Sequence, residues 1–119
     1  MNRKKIMVAV YDADILEVMN LILNMKGYDV KTETNGEKLL EMKEDIPDLL
    51  LLDIWMSGMD GRDICKKLKT REETRDLPVV MLSANIDIEK ISIDCGATDY
   101  LPKPFDINEL VGMIEKHTK

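Results

Sequence analysis

Three residue types that can work together on a phosphoryl group stand at the ends of three strand-like segments. Asp53 follows Leu49-Leu50-Leu51-Leu52, Ser83 follows Val79-Val80-Met81-Leu82, and Lys103 follows Thr98-Asp99-Tyr100-Leu101 through Pro102. A carboxylate can act as a nucleophile and form a covalent intermediate. A hydroxyl can donate to a phosphoryl oxygen. An ammonium is a compact charge that suits phosphate, and the prolines at 102 and 104 hold Lys103 in a rigid turn. Each residue alone has a plainer explanation. Asp53 can be a turn residue, Ser83 a helix cap and Lys103 a solvated loop charge. All three at adjacent strand ends are much harder to obtain by accident.

Adjacency follows from the elements that carry them. Ile6–Val10, Leu49–Leu52 and Val79–Leu82 are apolar throughout. Short runs without alternation suit strands covered on both faces, as in the middle of a parallel sheet. Tyr28–Glu33 alternates and Thr98–Leu101 is short and more polar, so these two belong at sheet edges. Between them lie helical patterns. The first has a broad apolar stripe of Ile15, Leu16, Val18, Met19, Ile22, Leu23 and Met25, closed by Gly27. The second has Leu39, Leu40 and Met42, opened by Asn35-Gly36 and closed before Pro47. The third has Ile64, Cys65 and Leu68, and the fourth Ile88, Ile91 and Cys95, stopped by Gly96. The fifth has Ile107, Leu110, Val111 and Ile114, with Asp106 and Glu109 spaced as a capping box.

The order βαβαβαβαβα implies an α/β fold with a parallel sheet and helices on both faces. Right-handed crossovers, with the apolar strands central, give the sheet order 2-1-3-4-5 of a flavodoxin-like doubly wound (βα)5 fold. Ligands in such sheets bind beyond the carboxyl ends of the strands, where the order reverses, between strands 1 and 3. Asp53 ends strand 3.

Composition narrows the function classes. The 119 residues fit one domain, 1–119, with 45% hydrophobic and 34% charged residues. Aromatics are only 4%, so the core rests on Ile, Leu, Val and nine Met. The net charge of −6 argues against direct binding of nucleic acid. No apolar run approaches the roughly 20 residues that span a bilayer, and no signal peptide is read, so the chain is expected to be cytoplasmic and not membrane-inserted. Cys65 and Cys95 match no zinc or CxxC spacing and read as reduced, largely buried thiols.

At this point the chain resembles, over essentially its whole length, the response-regulator receiver family of two-component signalling (CheY-like). Pro47 to Gly61, with Leu49-Leu50-Leu51-Leu52-Asp53 and Met56-Ser57-Gly58-Met59-Asp60-Gly61, resembles the phosphoacceptor strand and loop. Val79 to Ala84 resembles the hydroxyl-bearing strand, and Gly96 to Phe105 the lysine loop. The resemblance implies that Asp53 takes a phosphoryl group from a phosphohistidine on a histidine kinase or phosphotransfer protein. It implies that Lys103 pairs with a phosphoryl oxygen, that Ser83 hydrogen-bonds the phosphoryl group, and that Tyr100 switches rotamer. The face of helix 4, strand 5 and helix 5 then changes for a downstream protein target or output domain. It further implies Mg²⁺, with Asp53 and the Trp55 carbonyl as ligands, and a cis bond between Lys103 and Pro104. Such a phosphoprotein is a signalling domain in a phosphorelay, not a metabolic enzyme; at most it catalyses its own phosphoryl transfer and dephosphorylation. A stand-alone regulator and a receiver within a longer protein both agree with this reading.

Two positions depart from the family pattern. The acidic pair expected after strand 1 is replaced by Val10 and Tyr11, with Asp12 and Asp14 following. Asp12 is therefore the candidate to reach the metal in their place, with weaker binding expected. Ser57 stands where the family usually has Pro, with a minor effect expected. His117 reads as a solvated residue at a helix C-terminus. Other uses of the fold fare worse. Tyr11-Asp12-Ala13-Asp14 would repel a flavin phosphate, a GxGxxG is absent after strand 1, and Trp55 occupies the place of the second Asp of a haloacid-dehalogenase-like phosphatase. The remaining rival is a pseudo-receiver, a phosphorylation-independent interaction module, supported by Val10 and Tyr11.

Overall fold

The computed structural model describes residues 3–56 and 58–118. Ser57 lies outside the described residues. Five parallel strands form the main sheet: β1 (Lys5–Ala9), β2 (Asp29–Glu33), β3 (Leu49–Asp53), β6 (Val79–Ser83) and β7 (Asp99–Pro102). Their order is β2-β1-β3-β6-β7. This is the expected 2-1-3-4-5 arrangement. The labels between are taken by a small antiparallel hairpin of β4 (Trp55–Met56) and β5 (Met59–Asp60), which the sequence patterns did not predict.

The helices are α1 (Ala13–Met25), α2 (Gly36–Leu40), α3 (Gly61–Thr70), α4 (Ile88–Cys95) and α5 (Ile107–Thr118). Strand side chains alternate between faces, so each apolar strand feeds two cores. Ile6, Val8, Leu49, Leu51, Val80 and Leu82 meet Leu16, Met19 and Leu23 of α1 and Leu110 and Ile114 of α5. Ala9, Leu50, Leu52, Val79 and Met81 meet Leu39 of α2, Ile64, Cys65 and Leu68 of α3, and Ile88 and Cys95 of α4. Continuous apolar runs are thus the consequence of helices on both faces.

Helix ends follow local chemistry. Gly27 (φ 96°) and Gly96 (φ 80°) take the left-handed conformation after α1 and α4, where a Cβ would be strained. Before α5 the capping box is formed: Glu109 N–H donates to Asp106 Oδ1 at 2.8 Å and Asp106 N–H to Glu109 Oε1 at 3.2 Å. Three expectations change. Helix α2 is one short turn, and the chain leaves it through Asp45, at φ 52°, before Pro47. The apolar stripe of α1 is wider than the surface it covers: Ile15, Val18 and Met25 are exposed. His117 is not solvated; its Nε2 lies 2.8 Å from Asp99 Oδ2, and the ring is largely covered.

Candidate functional site

Parallel pairing brings the carboxyl ends of β3, β6 and β7 side by side. Asp53 is in register with Leu82, and Ser83 with Pro102. The backbone N–H of Lys103 donates to the Ser83 carbonyl at 2.9 Å, continuing the ladder one residue beyond the strand. The Lys103–Pro104 bond is cis, as expected. Lys103 Nζ therefore returns over the sheet edge and meets Asp53 Oδ2 at 2.9 Å. The two side chains are 29% and 14% exposed. This is a charge-assisted bond in a half-buried place, where attraction is less screened than on the open surface. Asp53 Oδ1 has no hydrogen-bond partner among the described residues.

A cleft of about 410 Å³ opens over this pair, lined among others by Tyr11, Asp12, Trp55, Arg62 and Ser83. Asp53, Ser83 and Lys103 thus meet at one cleft. Ser83 is nearly buried, and its Oγ accepts from the Asn85 N–H at 3.0 Å. That bond uses a lone pair and leaves the hydroxyl proton available. Tyr100 is half-buried on β7 and packs against the core formed by α2, α3 and α4. It lies on the strand that leads to Lys103, not in the cleft.

The rim after β1 differs in kind from a cluster of acids. Val10 is buried in the α1–α5 core, and Tyr11 is 61% exposed at the cleft. Asp12 is the N-cap of α1. Its Oδ1 accepts from Asp14 N–H at 2.9 Å and from Ile15 N–H at 3.3 Å, which leaves Oδ2 for anything else. Among the described residues no three His, Cys, Asp or Glu side chains are grouped to hold a metal ion. Mg²⁺ binds through one or two carboxylates when phosphate oxygens and waters complete the shell. Two carboxylates that line the cleft, Asp53 and Asp12, meet that number, and Trp55, at the start of β4, lines it as well.

Sequence patterns missed Arg62 at this cleft. Its placement depends on Gly61, which opens α3 against the acceptor strand. Gly61 N–H donates to the Ile54 carbonyl. A Cβ at 61 would overlap the Asp53 carbonyl oxygen and stand 2.9 Å from Ile54 Cα and its carbonyl oxygen. Glycine is required by that approach. Asp60, preceding it, caps α3 by accepting from Arg62 N–H at 2.8 Å. It also holds the guanidinium, with Nε at 3.0 Å and Nη2 at 2.5 Å. The hydrogen bond from Arg62 holds the Asp60 carboxyl below its ordinary range despite partial burial. The Asp60-Gly61-Arg62 triplet was the available signal.

Cys65 and Cys95 are free and buried, as expected. They meet where α3 packs on α4. Each thiol is the largest influence on the other, with Cys95 pulled down and Cys65 pushed up, and burial adding to the rise of Cys65; Cys95 Sγ donates to the Ser92 carbonyl at 3.6 Å.

The model of the response regulator receiver domain family matches residues 6–115. The DNA-binding dual master transcriptional regulator RpaA of a Synechocystis strain is 39% identical over 106 residues, which are 87% of this chain and 44% of that protein. The transcriptional regulatory protein CpxR of Escherichia coli is 37% identical over 112 residues, 92% of this chain and 47% of that protein. The chain spans about half the length of the curated relatives it matches. Among solved structures, a response regulator from Chloroflexus aurantiacus superposes with a TM-score of 0.91 at 30% identity, covering 98% of each chain. The receiver domain of a Pseudomonas aeruginosa sensor histidine kinase, with a magnesium ion in its active-site cleft, superposes at 0.89 with 22% identity over 98% of both chains.

Proposed function

From the premise that this chain belongs to the response regulator receiver domain family, we propose that it accepts a phosphoryl group on Asp53 and relays a signal through the face of α4, β7 and α5. The observation that carries the proposal is the Lys103 Nζ–Asp53 Oδ2 pair at 2.9 Å, formed where Ser83 reaches the same cleft. With Oδ2 held by Lys103, Oδ1 is the oxygen that attacks phosphorus. A P–O bond forms on Asp53, and the P–N bond of a donor phosphohistidine breaks, its electron pair passing to the imidazole nitrogen. Lys103 then balances charge on the phosphoryl oxygens, and the Ser83 hydroxyl donates to one of them. Turning of Ser83 Oγ towards the phosphoryl group draws it away from the Asn85 N–H and loosens the turn that leads into α4, and Tyr100 follows on the adjoining strand. Mg²⁺ would be held by Asp53, Asp12 and the Trp55 carbonyl, and it supplies positive charge to the transferring group. The same proposal includes a histidine kinase or phosphotransfer partner, a downstream target or output domain, and a place in the cytoplasm. Among the described residues no helix is long and apolar enough to cross a membrane.

Buried Val10 and exposed Tyr11 favour a second reading, a receiver that binds a partner without phosphorylation. Amide NMR spectra before and after acetyl phosphate separate the two. Phosphorylation-dependent switching moves the signals of Ser83, Tyr100 and α4 together. A spectrum unchanged at those residues, in a sample that carries the phosphoryl group, defeats the switch.

A further inference from the structure

The cleft carries a second cation besides Lys103. Arg62 lines it from the α3 side, across from the lysine loop. Its starting point is fixed, because Gly61 packs on the backbone of Asp53 and Ile54. Its side chain is 43% exposed, yet it is not free to wander, because Asp60 grips Nε and Nη2. Among the described residues the remaining N–H groups of the guanidinium have no partner. An arginine presents five donors in a planar fork, and a phosphate accepts from such a fork in a defined geometry.

The charge pattern gives this arginine a task. Where the family pattern has an acidic pair, the end of β1 offers Val10 and Tyr11, and the Asp12 that follows is engaged in capping α1. A phosphoryl group on Asp53 would still bring negative charge that Lys103 alone does not balance. Two acids fewer, and a guanidinium that Asp60 pairs with but whose remaining donors are free, weaken the hold on a cation and favour an anion in the cleft.

We infer that Arg62 is a second phosphoryl-binding cation of this cleft, acting with Lys103, and that it reduces the dependence of Asp53 phosphorylation on Mg²⁺. The inference rests on the reading of Asp53 as the phosphoacceptor. Arg62 donates through its free N–H groups to oxygens of the phosphoryl group, in the donor and after transfer, while Asp60 keeps the guanidinium oriented. It takes no part in bond making.

The test compares wild type, R62A and R62K. The cap of α3 uses the backbone N–H of residue 62, so the helix start survives in each variant. Two readouts are taken: the rate of labelling by acetyl phosphate, from intact mass, in EDTA and in saturating Mg²⁺; and the affinity for inorganic phosphate in EDTA, from Trp55 fluorescence, since Trp55 lines the same cleft. In wild type, EDTA is expected to slow labelling by less than tenfold. In R62A the EDTA rate is expected to fall at least tenfold further while the Mg²⁺ rate falls less than threefold, and phosphate affinity in EDTA to drop by a similar factor. R62K keeps the charge and loses the fork, and is expected to recover part of both. An equal ratio of the Mg²⁺ and EDTA rates in wild type and R62A, or unchanged phosphate affinity, overturns the inference. Absence of labelling in wild type under every condition overturns the Asp53 reading instead.

Discussion

A single methyl group at Gly61 is expected to disturb both the fold and the site. The added Cβ would overlap the Asp53 carbonyl oxygen and meet Ile54 Cα and its carbonyl oxygen at 2.9 Å. These neighbours are backbone atoms of the acceptor strand and its exit, so no rotamer change relieves the contact. Overpacking of this kind costs about 1–3 kcal/mol, partly offset by the better helix propensity of Ala. A net loss near 2 kcal/mol is expected for Gly61→Ala. Unfolding entropy for a chain of this length is about 250 cal/mol/K, so the melting temperature should fall by about 8 °C. Gly112→Ala is the control. It lies inside α5 with nothing within 4 Å of an added Cβ, and it should raise stability by about 0.5–1 kcal/mol. Urea unfolding and thermal melts of both variants measure the difference. Labelling by acetyl phosphate should also slow on the order of tenfold in Gly61→Ala, because the carbonyl that must shift belongs to Asp53 itself. A Gly61→Ala protein as stable as wild type would refute the close approach.

Further outcomes follow from other residues. Asp12→Ala removes the cap of α1 and should cost about 1 kcal/mol in urea unfolding, whereas Asp12→Asn keeps a capping oxygen; if Asp12 reaches the metal, both variants weaken Mg²⁺ binding in a fluorescence titration, and unchanged affinity in both removes Asp12 from the site. Burial pushes the Asp99 carboxyl up, but hydrogen bonds from His117, the Tyr100 N–H and Lys116 outweigh it and leave it below its ordinary value. Its stabilisation is therefore complete above about pH 4, the unfolded value, and disappears as pH falls through the lower folded value; Asp99→Asn should flatten the acid limb of the urea midpoint, and an unaltered limb contradicts the assignment. Limited alkylation with iodoacetamide should modify Cys95 before Cys65, since Cys95 is the more acidic thiol and lines a shallow cleft between α3 and α4; peptide mapping reads the order, and Cys65 reacting first would count against it.

The sheet was readable because its strands are buried on both faces. Leu49–Leu52 and Val79–Leu82 have no polar side to hide, and only a central place in a parallel sheet accommodates them. That placement alone aligns Asp53, Ser83 and Lys103, since parallel strands share a carboxyl edge. What was not readable depends on contacts between segments distant in pattern. The β4–β5 hairpin has two residues per strand, too few for any period. Arg62 enters the cleft because Gly61 lies against β3, a contact that no local pattern encodes. The apolar stripe of α1 told which residues are apolar, not that the sheet surface would cover only Leu16, Met19 and Leu23. His117 is covered because Asp99, at the start of β7, stands beside the end of α5, and no helix-end rule foresees that neighbour.

The central claim, that Asp53 carries the phosphoryl group, is tested most directly by intact mass after incubation with acetyl phosphate and Mg²⁺, with Asp53→Asn in parallel. The account predicts one added phosphoryl group on the wild type, removable by hydroxylamine as an acyl phosphate should be, and none on Asp53→Asn. A folded wild type that stays unmodified, or equal modification of both proteins, would contradict it.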